Sequence, residues 1–575
     1  MPKIKNILIG AVLCAGFLPW PAFADDRLSE EAQNQISSQA DLLREETRSK
    51  QPRKEAARAQ PYAPKELPPL EEEKGPEFSL RQIRLEGNRV FSDKELSRFL
   101  KLPTDGKLFL RDLRAMAREI TSFYQSQGYT TSRAYLSEKD VESGVATLHL
   151  LEGKVGKVEV TGNRYFRDRV YRDGIHLGRD RVFRSEDLEN SLYFLKQKPD
   201  ILDVKAEVLE AEEPGVSDIF LKAEDSRAAH LYFDFNNHGT KLTHRSRFAE
   251  HFDHNNFLGH GDILNTAFVQ TQEGSVDGAS GFYSFPFEQT GTTLSFGTSY
   301  AKIKLVKYLR SSEVKGNYLS FSPGLTQSLV KKQFFTADAF VGLDVKDSKT
   351  DIDDLKSSFD RMRVLKAGPQ FSFEDPAGKN FLSGHIHQGL PSLLNSSKEN
   401  DSLASRFESG GKFTYYTAEF TRLHRLPHSS FLVLKAGGQW TRDSLTAVEV
   451  FRAGGAGSVR GYAESDSVGD YGYLFSSELN IPTPFIPSEM NVPFTHKKWG
   501  QALRWVGFLD GGNTYVRERS RPTVVKNRSL LGAGFGVRVD LDYTFSLQLD
   551  FGWPVGDKPF DAKPRQLYLA LKAGF

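Results

Sequence analysis

Gly454-Gly455-Ala456-Gly457-Ser458-Val459-Arg460-Gly461-Tyr462 lies between two segments that alternate apolar and polar residues with a period of two. Such alternation predicts β-strands, whereas a run this rich in glycine has too much backbone freedom for a helix. The stretch therefore reads as part of a long loop, residues 441–472, inside an all-β region. A phosphate cradle would need a Gly-Lys-Ser/Thr ending that opens a helix. Here the chain instead runs through Gly469-Asp470-Tyr471-Gly472-Tyr473 into another strand. A lone arginine on so pliable a tip needs something to hold it.

The region around the loop, residues 227–575, is strand and turn throughout. In the last strand Leu567, Leu569, Leu571, Ala573 and Phe575 face one way, against Gln566, Tyr568, Ala570, Lys572 and Gly574. In the one before, Phe545, Leu547, Leu549, Phe551 and Trp553 oppose Thr544, Ser546, Gln548 and Asp550. Sixteen such segments, apolar out and polar in, predict a transmembrane barrel of sixteen antiparallel strands. About 22 residues per strand and connection accommodate spans of about 9–11 residues. A barrel of that size leaves a lumen wide enough for water.

Toward the N-terminus the composition changes. Met1-Pro2-Lys3-Ile4-Lys5, an apolar run from Ile7 to Phe17, and Ala22-Phe23-Ala24 read as a signal peptide over residues 1–24. Its removal takes Lys3 and Lys5 from the 76 basic residues and leaves 74, matching the 74 acidic ones. A neutral mature chain gives no reason to expect nucleic-acid binding. The one cysteine, Cys14, lies in the same segment, which excludes a disulfide-stapled scaffold. Residues 25–50 read as a helix polar on all sides, suited to an aqueous surrounding. Residues 51–77 carry Pro52, Pro61, Pro64, Pro68, Pro69 and Pro76 among charges and read as an extended linker. Residues 78–153 and 154–226 are two copies of a small α/β unit: Gln82-Ile83-Arg84-Leu85-Glu86-Gly87-Asn88 is echoed by Lys157-Val158-Glu159-Val160-Thr161-Gly162-Asn163. An exposed sheet edge on such a unit can take up an extended polypeptide as an added strand.

Signals for catalysis are weak. His385 with His387, and His251 with His254, do not make a zinc site without a carboxylate at ligand spacing. Gly532-Ala533-Gly534-Phe535-Gly536 reads as a strand with glycine on its lumen face, not a nucleotide loop. No Gly-x-Ser-x-Gly elbow occurs in the sequence. The chain is expected to have no catalytic residue, no metal and no cofactor. The placed charges lie instead on the lumen phase of the strands: Glu478, Arg504, Arg538, Asp540 and Asp510. A charge on the lipid face would cost roughly 2–4 kcal/mol at the midplane. Asp510 stands out, because Phe508-Leu509-Asp510-Gly511-Gly512 carries glycines that let another backbone come close.

The Gly-Asn units, the Arg133-Ala134-Tyr135-Leu136 strand and the Leu151-Glu152-Gly153 junction resemble POTRA domains. With the Val459-Arg460-Gly461-Tyr462 loop, the Phe508-x-Asp510-Gly511-Gly512 strand, Asn256-Phe257-Leu258-Gly259-His260-Gly261-Asp262 and the terminal Phe575, the whole chain resembles the transporters of two-partner secretion, the haemolysin secretion/activation family. The resemblance implies an outer-membrane barrel of a Gram-negative bacterium with its POTRA domains in the periplasm. It implies that helix 25–50 plugs the barrel at rest and that the POTRA pair captures an unfolded secreted passenger (a TpsA-type exoprotein). The passenger crosses without ATP, and the Arg460 loop folds into the lumen to pair with Asp510. Phe575 would be the barrel-assembly signal, read by assembly machinery with help from periplasmic chaperones. A barrel-assembly insertase of the same superfamily and a passive porin or receptor are the alternatives.

Overall fold

The computed structural model describes residues 75–574 except 137, 143, 176, 178–181, 241, 306–312, 488–489, 494–497, 518–526 and 542–544. The signal peptide, the plug helix at 25–50, most of the linker and Phe575 lie outside the described residues. One compact unit runs through to Ala228 and takes in Leu258–Gly261; the other comprises Ala229–Phe257 and the chain from Asp262 onward.

The first unit holds the two repeated modules. In the first, the strands Gln82–Glu86 and Arg133–Tyr135 flank Val145–Leu151, one parallel and one antiparallel. Helix Leu110–Ser126 covers this sheet with Leu113, Ala117, Ile120 and Tyr124 buried on one face. In the second, Lys154–Thr161 and Ile201–Glu210 flank Val216–Asp225, with helices Asp168–Gly174 and Ser185–Lys196 over a separate core.

The sequence echo between the modules has a physical basis. Gly87 and Gly162 both sit at positive φ, 96° and 85°, with an added Cβ falling 2.4 and 2.5 Å from the carbonyl oxygens of Leu150 and Ala223. Only glycine fits there. Asn88 and Asn163 then make the same pair of bonds, each donating to a backbone carbonyl three residues on and to an aspartate five residues on. A carboxylate closes each turn. Glu152 accepts the N–H groups of Arg89 and Val90 and the hydroxyl of Tyr124, and Asp225 accepts those of Arg164, Tyr165 and Phe166 with the hydroxyl of Tyr171. Burial, and then the hydrogen bond to that carboxylate, hold both phenols well above the usual tyrosine range.

The second unit is a closed barrel of sixteen antiparallel strands. It opens with Ala229–Asn236 and ends with Gln566–Gly574, and these two close the ring with Tyr232 opposite Gly574 and Asn236 opposite Ala570. Period-2 alternation is visible in the exposure. Phe233, Phe268, Phe296, Trp505, Leu509 and Phe551 stand exposed on the outer face, where a lipid surrounding supplies the burial that water would not. Their inward neighbours Phe508, Asp510 and Asp550 are buried.

The lumen is where the long loop goes. The chain leaves strand Phe431–Thr441, forms a short hairpin in which Phe451–Ala453 pairs with Ser467–Gly469, and rejoins the wall at Tyr471–Pro482. Apolar contact holds its first part, where Leu445 and Val450 join Met362, Val364, Phe413 and Tyr415. Ion pairs hold both arms. Glu449 accepts bonds from Lys346 and Tyr415, Asp470 from Arg406, and Asp466 from Arg528.

Candidate functional site

Between the two arms lies the tip, Val459-Arg460-Gly461-Tyr462. Its bend begins with Gly454 and Gly455 at φ of 104° and 111° and ends with Gly461 at 103°, conformations that side chains beyond Cα disfavour. Inside the bend Ser458 accepts from the Gly454 N–H, and Glu464 accepts from the Ala456 N–H at 2.7 Å. Val459 and Tyr462 are fully buried, Val459 beside Ala453 and Leu530. The Tyr462 hydroxyl donates to the Leu531 carbonyl, while Tyr568 takes the Gly461 N–H at 2.9 Å and donates to the Tyr462 carbonyl. Tyr568 thus satisfies both backbone groups of the turn from the wall.

Arg460 is the centre. Its Nε and Nη2 donate to the two oxygens of Asp510 at 2.7 and 3.0 Å, and its own backbone N–H reaches the same carboxylate at 3.1 Å. Its Nη1 reaches Glu478 at 2.6 Å and Asp550 at 3.4 Å. The guanidinium carbon lies 3.6 Å from the centre of the Phe508 ring, a cation–π contact in a shielded place. A planar fork that meets one carboxylate edge-on and has donors left over for two more is an arginine property, which lysine lacks. Arg460 is 6% exposed at its side chain, and Asp510 and Asp550 are at 0%.

The wall side of the cluster is itself organised. Arg538 donates to both oxygens of Asp550, at 2.6 and 3.0 Å, and to Glu478 at 3.3 Å. Ser476 donates to Asp510 at 2.6 Å, and Gln548 to Asp550 at 3.0 Å. Three carboxylates therefore share two guanidinium groups, and the loop supplies one of the two. The cross-strand register brings this about, with Ser476 opposite Asp510 and Glu478 opposite Phe508, and Arg538 opposite Gln548.

Of the residues singled out from the sequence, the structure brings together Arg460, Asp510, Glu478, Arg538 and Phe508. Arg504 stands opposite Arg538 in the ladder with its guanidinium 4.8 Å from the centre of the Phe431 ring, and Asp540 stands opposite Ser546 on the lumen phase. Gly511 and Gly512 need a correction. A Cβ on Gly511 would strike the Phe475 ring at 2.2 Å and one on Gly512 would strike Leu474 at 2.5 Å, so these glycines fit the neighbouring strand and not the loop. The room for the tip comes from Gly532 and Gly552. A Cβ at Gly532 would fall 1.7 Å from the Arg460 carbonyl oxygen, and one at Gly552 2.6 Å from the Gly461 nitrogen. Sequence reasoning missed Asp550, although its polar strand face was visible, and it missed Tyr568, Glu449, Asp466 and Asp470. His385 and His387 are buried wall residues, His387 stacked 4.2 Å from the Tyr415 ring.

A sixteen-strand closed barrel following two such modules, with a long loop latched inside by a buried arginine, defines the class of POTRA-bearing outer-membrane barrels. The model of the family described as haemolysin secretion/activation protein ShlB/FhaC/HecB matches residues 215–539, and that of the ShlB-type POTRA domain matches residues 78–153. The chain belongs to the haemolysin secretion/activation family. It is similar to the outer membrane transporter CdiB of Dickeya dadantii (strain 3937), 24% identical with 84% of this chain and 83% of that protein covered. The heme/hemopexin transporter protein HuxB of Haemophilus influenzae (strain 86-028NP) is 20% identical, with 86% of each covered. In fold it is similar to the structure of CdiB from Escherichia coli, with a TM-score of 0.69 and 20% identity over 94% of this chain and 98% of that one.

Two expected outcomes follow from the cluster. Breaking a shielded ion pair by removing one partner costs about 3–5 kcal/mol, because the other charge is stranded. Arg460→Ala should therefore abolish most secretion while the barrel still inserts. Asp510→Ala should do no more harm, since Glu478 and Asp550 still face Arg460. Scored by immunoblot of the secreted partner, the double variant should be hardly worse than Arg460→Ala, whereas losses that multiply would mean that the residues act independently. The second outcome leaves every charge intact. Gly532→Ala places a Cβ against the Arg460 carbonyl and should reproduce the Arg460→Ala secretion defect, while Gly507→Ala, whose Cβ meets nothing within 4 Å, should secrete normally.

Proposed function

We propose that this protein is an outer-membrane transporter that takes an unfolded secreted partner from the periplasm and passes it through the barrel to the cell surface. The observation that carries this reading is the loop tip fastened inside the barrel wall by Arg460. A plain diffusion pore gains nothing from filling its own lumen, whereas a pore for a polypeptide must be closed between passengers. The fastening is made of hydrogen bonds and charge pairs, which a polar passenger can exchange for its own. No catalytic step or nucleotide enters this account.

Capture falls to the POTRA unit. Among the described residues its longest edge strand is Ile201–Glu210, which pairs there on one side only, with Val216–Asp225. Leu202 and Leu209 on this edge are exposed, 60% and 45%, and offer apolar contact beside unpaired backbone groups. Strand addition there gives affinity through the main chain and asks for little in side-chain sequence. Delivery of the barrel itself to the membrane by assembly machinery and periplasmic chaperones completes the proposal.

Loss of the protein should remove one large protein from the culture supernatant and leave other outer-membrane barrels at their normal level. General depletion of barrels would instead make the chain an insertase. Capture is testable on the passenger side, where the domain cannot be misfolded by the change. A passenger segment N-methylated at alternate backbone nitrogens should bind the transporter at least about tenfold more weakly, while alanine substitutions in the same segment change little. Binding that survives methylation would contradict strand addition.

A further inference from the structure

The connection between strands Tyr471–Pro482 and Leu503–Tyr515, residues 483–502, departs from the rest of the barrel. It follows the twelfth strand counted from Ala229, so it lies at the end where the first strand is entered, the periplasmic end. Other connections at that end are short, such as 288–291, 333–334 and 376–377. Barrels of this kind ordinarily keep their periplasmic turns short, and a connection beyond about 12–15 residues usually has a task.

Its backbone is folded back on itself. The Thr483 N–H donates to the Leu503 carbonyl at 3.3 Å, the Trp499 N–H donates to the Met490 carbonyl at 2.9 Å, and Asn491 pairs with Lys498. Pro482, Pro484 and Pro487 stiffen the exit from the wall, because each fixes its own φ. Phe485 sits in the middle of these prolines. At 82% exposure it is the most exposed large apolar side chain among the described residues. A phenyl ring held out in this way marks a contact with something apolar.

The neighbour of the ring tells which side of the wall it is on. The Phe485 and Trp505 rings stand 6.5 Å apart and nearly perpendicular, at 82°. Trp505 lies opposite Ile481 in the ladder, and both face outward, 39% and 42% exposed. Phe485 therefore continues the lipid-facing surface of these two strands past their periplasmic ends. A passenger in the lumen is on the other side of the wall, where Glu478, Phe508 and Asp510 point, and does not meet the ring there. The composition agrees with a lipid contact. Phe485, Ile486, Met490, Phe494 and Trp499 share the connection with Lys497 and Lys498 against a single acid, Glu489. Aromatic and aliphatic residues mixed with lysine are typical of segments that lie in the membrane interface.

We propose that the 483–502 connection is a membrane anchor, with the Phe485 ring inserted among the phospholipid acyl chains of the periplasmic leaflet. Phe485 and Trp505 together then extend the aromatic girdle of the barrel beyond the strands themselves. The anchor sits at the periplasmic ends of the two strands that carry Glu478 and Asp510. Lipid contact holds those ends in place while the loop tip at Arg460 is released and fastened again.

The test uses the full chain in cells, with the photoreactive residue p-benzoylphenylalanine incorporated in place of Phe485, which keeps an aromatic ring at the position. Leu509, on the outer face of the barrel, serves as the lipid reference, and Glu86, exposed on strand Gln82–Glu86, as the aqueous one. Cells are fed radiolabelled glycerol, which enters phospholipid, and are then irradiated. The barrel should take up label from position 485 about as well as from 509, and at least about tenfold better than from 86. Label at the level of position 86 would overturn the proposal. So would a crosslink from position 485 to a protein, the secreted partner included, which would assign the ring to a protein contact.

Discussion

Arg460 sits among Asp510, Glu478 and Asp550, with Arg538 as the one other cation that pairs with these carboxylates among the described residues. The wall of the barrel is therefore built with an excess of negative charge at this point, and it is short of one guanidinium until the loop arrives. Burying carboxylates in a shielded place is costly unless each is paired and hydrogen-bonded. The wall and the loop tip are thus completed by each other. The three carboxylates come from three of four consecutive strands, Tyr471–Pro482, Leu503–Tyr515 and Phe545–Pro554, and Arg528–Asp540, between the last two, supplies Arg538, so the loop tip also ties together the strands next to the closing seam.

Attraction alone would not place the tip. The backbone of Arg460 and Gly461 comes so close to Gly532 and Gly552 that no side chain could stand between them. Tyr568 then ties the turn to the last strand. The arms are held by pairs of the same kind further along: Arg406 with Asp470, Arg528 with Asp466, and Lys346 with Glu449. In each of these three the loop brings the acid, and the base comes from a wall strand (Lys346, Arg528) or from the connection between strands Gly378–Gly389 and Thr414–Arg425 (Arg406), opposite to the arrangement at the tip. That alternation opposes sliding of the loop along the wall, because any shift sets like charges against each other.

Much of the fold was legible because a barrel strand repeats its inward and outward environments every two residues. Leu567 through Gly574 and Phe545 through Trp553 show the pattern without interruption. The repeated Gly-Asn turn was legible for a similar reason, since Gly87 and Gly162 occupy positions that no other residue can. The site was legible only in part. Asp510 stood out beside its glycines, but those glycines serve the contact with Phe475 and Leu474. Asp550 sits in an ordinary run of polar lumen residues, where nothing in the order of amino acids separates a buried ligand of arginine from a wet wall. The same holds for Glu449, Asp466 and Asp470. Their partners lie 103, 62 and 64 residues away, and a loop without periodicity carries no register from which such pairs could be read.

The central claim is that the Arg460 charge cluster keeps the loop tip buried in the barrel wall. Val459 is the residue to watch, since it is fully buried beside Arg460. In a chain carrying Cys14→Ser and Val459→Cys, the thiol should resist a membrane-impermeant maleimide added to intact cells, and it should be labelled once Arg460→Ala is introduced. Labelling in both chains, or protection in both, would contradict the account.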